Sequence, residues 1–273
     1  MLTWCGELMD AAAHVLPLLA AKDYQAPSLF EPSSLLREAR RQRGLPYVPV
    51  PDICVLDPDG DIVHSLASSR RGRVHPGWAC YHTQMWVTDL DGVEIGVVGM
   101  AVGAPFAVLV AEQLAASGAE LVISITSAGR ITHGGPTPCF VLIDAALRDE
   151  GTSAHYAVPE RWARIREEHL DKLDGAFSHL PEPVVTGSSW TTDAPYRETQ
   201  TAIDAAHAAG VACVEMEAAA LYAYARARAR DVVCLAHVTN TMATEGEDFN
   251  KGPGNGAEAA LAVAHAVAVA LRG

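Results

Sequence analysis

The chain has 273 residues, 49% of them hydrophobic and 19% charged, with a formal net charge of −13. Such a length buries a large core, and the acidity excludes general affinity for nucleic-acid polymers or anionic membranes, which need a basic footprint. No linker, charge block or repeat period divides the chain, so a single structural domain is expected: residues 1–45 as a helical N-terminal lead-in and residues 46–273 as its α/β body.

In the lead-in, Glu7 and Asp10 precede a short apolar run at 15–19. A secretory leader needs a basic start and a longer apolar core, so a cytoplasmic protein is expected. The lead-in ends in a basic patch at 37–43, read as a solvated helix face. Residues 52–56 form a short apolar strand running into Asp57-Pro58-Asp59-Gly60-Asp61, a sequence built from turn residues. A second strand is expected at 93–99 and a helix at 106–117, with Gly118 as its left-handed cap. Glu94, the glycines and Pro105 interrupt the apolar run 93–109, so it does not read as a membrane span. A third strand at 120–125 opens onto Thr126, Ser127, Ala128 and Gly129.

Further strands are expected at 140–143, 184–188 and 232–238, and helices at 161–173, 196–209 and 257–271. This alternation predicts an α/β fold with parallel strands and right-handed crossovers. Ligands of such sheets gather beyond the carboxyl ends of the strands, which makes 99–105, 126–129 and 239–244 the candidate loops. Cys5, Cys54, Cys80, Cys139, Cys213 and Cys234 are scattered, without a CxxC pair or zinc spacing, and read as reduced core thiols. No metal site is expected.

The most informative stretch is Val214-Glu215-Met216-Glu217-Ala218. From Ala218 onward, Ala218, Leu221, Tyr222 and Ala225 recur at helical spacing, and Arg226, Arg228 and Arg230 suit a helix C-terminus. Glu215 and Glu217 stand two apart at the N-terminal edge, a spacing that shares one face of extended chain but not of a helix. Either both point into a cleft where a strand feeds a helix, or both simply favour the positive end of the helix dipole.

Five patches in this order resemble the nucleoside phosphorylase superfamily, and within it the uridine phosphorylase-like branch. They are Gly99-Met100-Ala101-Val102-Gly103-Ala104-Pro105, Thr126-Ser127-Ala128-Gly129, Arg148-Asp149-Glu150-Gly151-Thr152-Ser153, Thr192-Asp193-Ala194-Pro195-Tyr196 and Val214-Glu215-Met216-Glu217-Ala218. The last is the specific one. The resemblance covers roughly residues 50–270. It implies one α/β domain around a mixed, partly barrel-like sheet, assembled as a dimer, trimer or hexamer with sites near subunit contacts.

The resemblance also implies roles. Glu217 would accept hydrogen bonds from the ribose hydroxyls, Met216 would lie against the sugar, and Glu215 would support them. Glu217 and Asn240 would be the catalytic pair. Asn240, Pro195, Tyr196 and Trp190 would face the base. Where purine-cleaving relatives carry an aspartate, Asn240 presents an amide, which hydrogen-bonds but cannot act as a general acid. That points away from adenosine, towards a 6-oxopurine, a pyrimidine or an unusual base. The residues that read uracil are not in register, with Arg197, Thr199 and Gln200 only nearby. Asn240 as a plain turn residue is the competing reading.

Thr126, Ser127, Ala128, Gly129 and His82 are the candidates to hold phosphate or water. The arginines the resemblance requires are absent: Gly60 and Ser124 stand at two of their positions, and Tyr81 or His82 near a third. Arg70, Arg71, Arg73 and Arg130 are the remaining nearby cations. The triplet Ser127-Ala128-Gly129 also resembles hydrolytic nucleosidases, without a counterpart of their N-terminal water-activating glutamate. The expected activity is therefore phosphorolysis of a small-molecule nucleoside, with inorganic phosphate as co-substrate and no organic cofactor. Hydrolysis is the alternative, and non-catalytic nucleoside binding a further one. His155 and His237 read as core histidines or substrate contacts, Arg148 to Glu150 as a site rim or a surface turn, and 245–248 as a solvated loop.

Overall fold

In this computed structural model, the residues described are Leu18, Ala20, 22–132, 137–240 and 249–273. The expected loop at 245–248, most of the one at 239–244 and nearly all of residues 1–21 lie outside them. Ile53–Asp57 (β1) is buried at every position, as a central strand covered on both faces must be. It pairs in parallel with Val93–Gly99 (β4) on one side and Leu121–Arg130 (β5) on the other. Met85–Leu90 (β3) and Arg73–Val74 (β2) extend the sheet beyond β4 in antiparallel order. The β3–β4 turn is Asp91-Gly92, with φ of 51° and 88°, the left-handed pair that a tight hairpin demands.

On the far side β5 runs parallel to Asp231–Asn240 (β10). Next come Cys139–Asp149 (β6), antiparallel to β10, and Val184–Thr192 (β8), parallel to β6. Val211–Glu215 (β9) lies parallel to β8 and pairs back, antiparallel, with β5. This second pairing closes β5, β10, β6, β8 and β9 into a ring, so the sheet is an open wing fused to a small barrel. Trp162–Arg164 (β7) adds to the outside of β6.

The helices among the described residues are Pro32–Arg43 (α1), Asp61–Ser69 (α2), Ala104–Ala116 (α3), Glu167–Leu173 (α4), Gln200–Ala208 (α5), Ala218–Arg228 (α6) and Ala257–Arg272 (α7). Every residue of α6 from Ala218 to Ala225 is buried, so the expected single stripe is too narrow: the helix is enclosed on all sides. The Tyr222 hydroxyl donates to the Ile143 carbonyl at 2.5 Å and accepts from the Cys234 amide at 3.1 Å, tying α6 to β6 and β10. The stretch Pro253–Arg272 is long and apolar enough to cross a membrane, but half of it is buried and α7 packs on α2, α4 and β5.

Four sequence expectations are corrected. Residues 126–129 are strand, because β5 gains partners in β9 and β10 just where its own pattern fades. Residues 161–173 form a strand and a short helix, since Ala163 and Ile165 alternate inward along β6. Residues 196–209 begin as a 3-10 turn at Pro195–Arg197, and Thr199 caps the helix that follows by accepting from the Ala202 amide. The patch at 37–43 is only partly solvated: Arg43 donates to the carbonyl of Cys80 at 3.0 Å and Arg40 to that of Gly77 at 3.4 Å. Cys54, Cys80, Cys139, Cys213 and Cys234 are free and buried, as expected of core thiols.

Tyr222→Phe should lower unfolding free energy by about 1–3 kcal/mol, because it strands a buried amide and carbonyl. Urea titration checks this, and a midpoint equal to that of the unchanged protein would show that the hydroxyl carries no load.

Candidate active site

The carboxyl ends of β1, β4, β5 and β10 meet the start of α6, and each brings one part of the site. The two glutamates are both buried, at 3% exposure for Glu215 and 1% for Glu217, yet they serve different ends. Glu215 accepts from the hydroxyls of Ser189 (2.9 Å) and Thr191 (2.5 Å) on β8, and from the amides of Glu217 and Ala218 (both 2.7 Å). Thr191 also accepts from the Ala219 amide at 3.0 Å. Together they satisfy three amides at the start of α6, which otherwise lack partners. The two sequence readings therefore divide: Glu215 is the helix cap, and Glu217 is the group turned to the loops.

Glu217 accepts from the Gly103 amide at 2.6 Å through one oxygen and from the Met216 amide at 3.3 Å through the other. Gly103 adopts φ 85°, a conformation that suits glycine, and so presents its amide to the carboxylate. Burial drives the proton affinity of Glu217 upward, the charge of Glu215 adds to this, and the Gly103 contact opposes it. Met216 is half-buried beside it, and Met100 and Val102 are exposed on the loop above.

Asn240 ends β10 opposite Gly129, at a register shift, and its Nδ2 donates to the Ala128 carbonyl at 3.4 Å. Ser127 directs its amide (3.0 Å) and hydroxyl (2.6 Å) at one oxygen of Asp59, from the turn after β1. Lys251, beyond the sequence's candidate residues, reaches that same oxygen at 3.2 Å and also binds Asp61. Asp57 anchors the turn, accepting from the Gly60 and Val63 amides at 3.2 and 3.0 Å. Burial pushes its carboxyl up to about 6, opposed by those amides and helped by the charges of Asp59 and Asp61.

Other candidates stand apart. Trp190 is 4% exposed, packs in a second core cluster with Ile131, Val211 and Val214, and donates to Asp149 at 2.9 Å. That corrects its reading as a base contact: the ring is committed to the core. Pro195 is half-buried and Tyr196 is 98% exposed on the 3-10 turn. His82 is exposed, edge-on to Phe106 at 6.2 Å, close to the Gly103 turn. His237 is a core histidine stacked on Phe140 at 4.3 Å, whereas His155 is exposed, 3.2 Å from the Lys22 ammonium. Arg148 braces 153–160, donating to Ser153 and to the carbonyls of Ala157, Val158 and Glu160. Arg71 and Arg73 are taken by Glu258 and Glu94. A cavity of about 760 Å³ lies at the amino ends of β6 and β8, away from Glu217.

The family profile described as the phosphorylase superfamily matches residues 52–272. The chain belongs to the phosphorylase superfamily. It is 29% identical to a guanosine phosphorylase from Halorubrum lacusprofundi over 136 residues, half of this chain and 56% of that relative. It is 28% identical to a uridine phosphorylase from Thermococcus kodakarensis over 222 residues, 77% of this chain and 75% of that one. The first of these matches thus spans little more than half the relative's length. Among solved structures, a uridine phosphorylase from Vibrio fischeri superposes with a TM-score of 0.69 at 19% identity, covering 81% of this chain and 91% of that one. An AMP nucleosidase from Bacteroides thetaiotaomicron gives 0.69 at 18%, covering 88% and 97%. Both share the superfamily fold, including its sheet closing into a partial barrel.

Folded Glu217 holds its proton where the unfolded chain, with an ordinary value near 4.5, has lost it. Its contribution to stability is therefore full below that value and declines as pH rises towards the raised folded value. Glu217→Gln should gain stability over the unchanged protein as pH rises from 5 to 8. Paired denaturant titrations at the two pH values check it, and a gap that stays constant or narrows would contradict the assignment.

Proposed function

We propose that the protein cleaves the N-ribosidic bond of a nucleoside with inorganic phosphate, giving free base and ribose 1-phosphate. The observation that carries this reading is the enclosed carboxylate of Glu217, oriented by the Gly103 amide at the carboxyl ends of the central strands. Ribose hydroxyls are donors suited to this acceptor. Burial and the charge of Glu215 raise its proton affinity in the free protein, and the positive charge that grows on the sugar as the glycosidic bond breaks favours its ionised form. The interaction is therefore stronger in the transition state than in the ground state, which is what accelerates a reaction. One such group contributes about 2–4 kcal/mol.

Met216 fits the sugar face because an unbranched thioether follows a non-planar ring. Asn240 offers the base an amide that both donates and accepts, which favours a 6-oxopurine or a pyrimidine over a base needing protonation by an acid. Thr126, Ser127, Ala128 and Gly129 border the side from which the nucleophile enters, with His82 on the rim. Glu215 positions Glu217 through its cap on α6. The enzyme works in the cytoplasm as a homo-oligomer, as a dimer, trimer or hexamer with sites near subunit contacts, and without an organic cofactor.

Hydrolysis is the second reading, favoured by one feature: the donors of Ser127 already hold the carboxylate of Asp59. A panel of guanosine, inosine, uridine and adenosine, assayed for base release with and without phosphate, separates the two. Phosphate-dependent release is expected. Release independent of phosphate would establish the hydrolase, and binding without turnover would make the protein a nucleoside carrier. Glu217→Ala should cost about 10²- to 10³-fold in kcat/KM with the fold retained. Near-normal turnover in a folded variant would remove Glu217 from the chemistry.

A further inference from the structure

Three donors converge on a single oxygen of Asp59: the Ser127 amide at 3.0 Å, the Ser127 hydroxyl at 2.6 Å and the Lys251 ammonium at 3.2 Å. A backbone amide, a hydroxyl and a cation aimed at one point form a seat for an oxyanion. Here the seat is filled by a side chain of the protein itself. We propose that Lys251 is the cation of the co-substrate site, and that Asp59 is a resident placeholder which inorganic phosphate displaces from Ser127. This inference rests on the phosphorolytic reading above, and it answers how a site lacking the expected arginines can hold a phosphate.

The surroundings separate the group that moves from those that stay. Asp57 is locked into the turn by the Gly60 and Val63 amides. Asp61 is held by Lys251 and by Asn255 Nδ2 at 3.1 Å. Asp59 lies between these fixed points and is the most open member, with 34% of its side chain exposed against 21% for Asp61 and 16% for Lys251. When Asp59 swings outward, Asp61 keeps the ammonium in place, and Ser127 and Lys251 are left facing the vacated position. His237 lines the same small cavity with Lys251 and Thr126, and its buried Nε2 has no hydrogen-bond partner. It is a further polar atom available there.

The exchange keeps the seat filled. One carboxylate leaves the seat and a phosphate, monoanionic or dianionic near neutral pH, takes it, so Lys251 stays paired throughout. An unfilled seat would leave a buried ammonium facing Asp61 alone together with two unpaired donors, a costly state. Asp59 avoids that cost between turnovers and also sets a threshold: only an anion that engages Ser127 and Lys251 together competes with a tethered carboxylate.

The test is phosphate binding by titration calorimetry on the full-length protein, alongside the phosphate KM at saturating nucleoside. Lys251→Met should weaken phosphate by about ten- to a hundredfold, as expected for one charge-assisted hydrogen bond lost, while the nucleoside KM stays within about twofold. Lys251→Arg should recover most of the loss. Asp59→Ala should tighten phosphate by about tenfold, because the internal competitor is gone. If Lys251→Met does not fold, the double change with Asp61→Asn removes one stranded charge and carries the same comparison. Phosphate binding unchanged in both Lys251→Met and Asp59→Ala would overturn the inference. So would loss of phosphate-independent base release in Asp59→Ala, which would make Asp59 a participant in hydrolysis. The two readings fail separately. Binding that shifts as described beside phosphate-independent turnover keeps the anion seat and sinks phosphorolysis. Phosphate-dependent turnover with an unaltered phosphate KM in both variants sinks the role of Lys251 and leaves phosphorolysis standing.

Discussion

Placement of the Glu217 carboxylate depends on a second carboxylate, Glu215, whose partners all lie within the protein. Glu215 spends all its hydrogen-bonding on Ser189, Thr191 and the amides that open α6. Burying a charge so completely is costly unless each lone pair finds a donor, and here four donors do. The return is geometric: the backbone at 215–218 is pinned between β8 and α6, and Glu217 has one direction left to face. A glutamate two residues further along then meets the Gly103 amide from a loop 114 positions away in sequence.

The pinning works only because the sheet closes. β5 pairs with β1 on its amino side, then with β10 along its length and with β9 at its end. That last pairing brings the end of β9 to the carboxyl ends of the parallel strands, beside the turns that follow β1 and β4. In an open sheet α6 would start elsewhere, and Glu217 would be one more buried acid awaiting a partner. Tyr222, with bonds to both β6 and β10, holds the helix against the closed barrel.

The acidic turn after β1 shows the opposite use of charge. Asp57, Asp59 and Asp61 would repel one another and any phosphate if left alone. Lys251 relieves two of them, and the charges of Asp59 and Asp61 with the Asp61 hydrogen bond outweigh the burial that works against its ammonium. His237 beside them is held neutral, its proton affinity lowered to about 4 by burial and by the Lys251 charge. The turn is thus an acidic cluster whose charge Lys251 offsets in part.

Much of this could be read from the chain. The α/β alternation, the strands at β1, β4 and β10 and the helix at α7 all follow from local pattern, because apolar periodicity and turn chemistry act over a few residues. The resemblance to nucleoside phosphorylases added the partial barrel and the functional family. What local pattern could not decide is which of two near-identical glutamates caps a helix and which faces the Gly103 turn, since that is settled by hydroxyls on β8 and an amide before α3. Trp190 illustrates the same limit: an aromatic near a candidate loop looks like a base platform until a neighbouring cluster claims it. Lys251 was legible only as a lysine before the glycine-rich run at 252–256, and its partners lie some 190 residues earlier. Local sequence determined the elements and the chemical inventory. Tertiary closure of the sheet decided which groups meet, because pairings between distant strands have no signature in either strand alone.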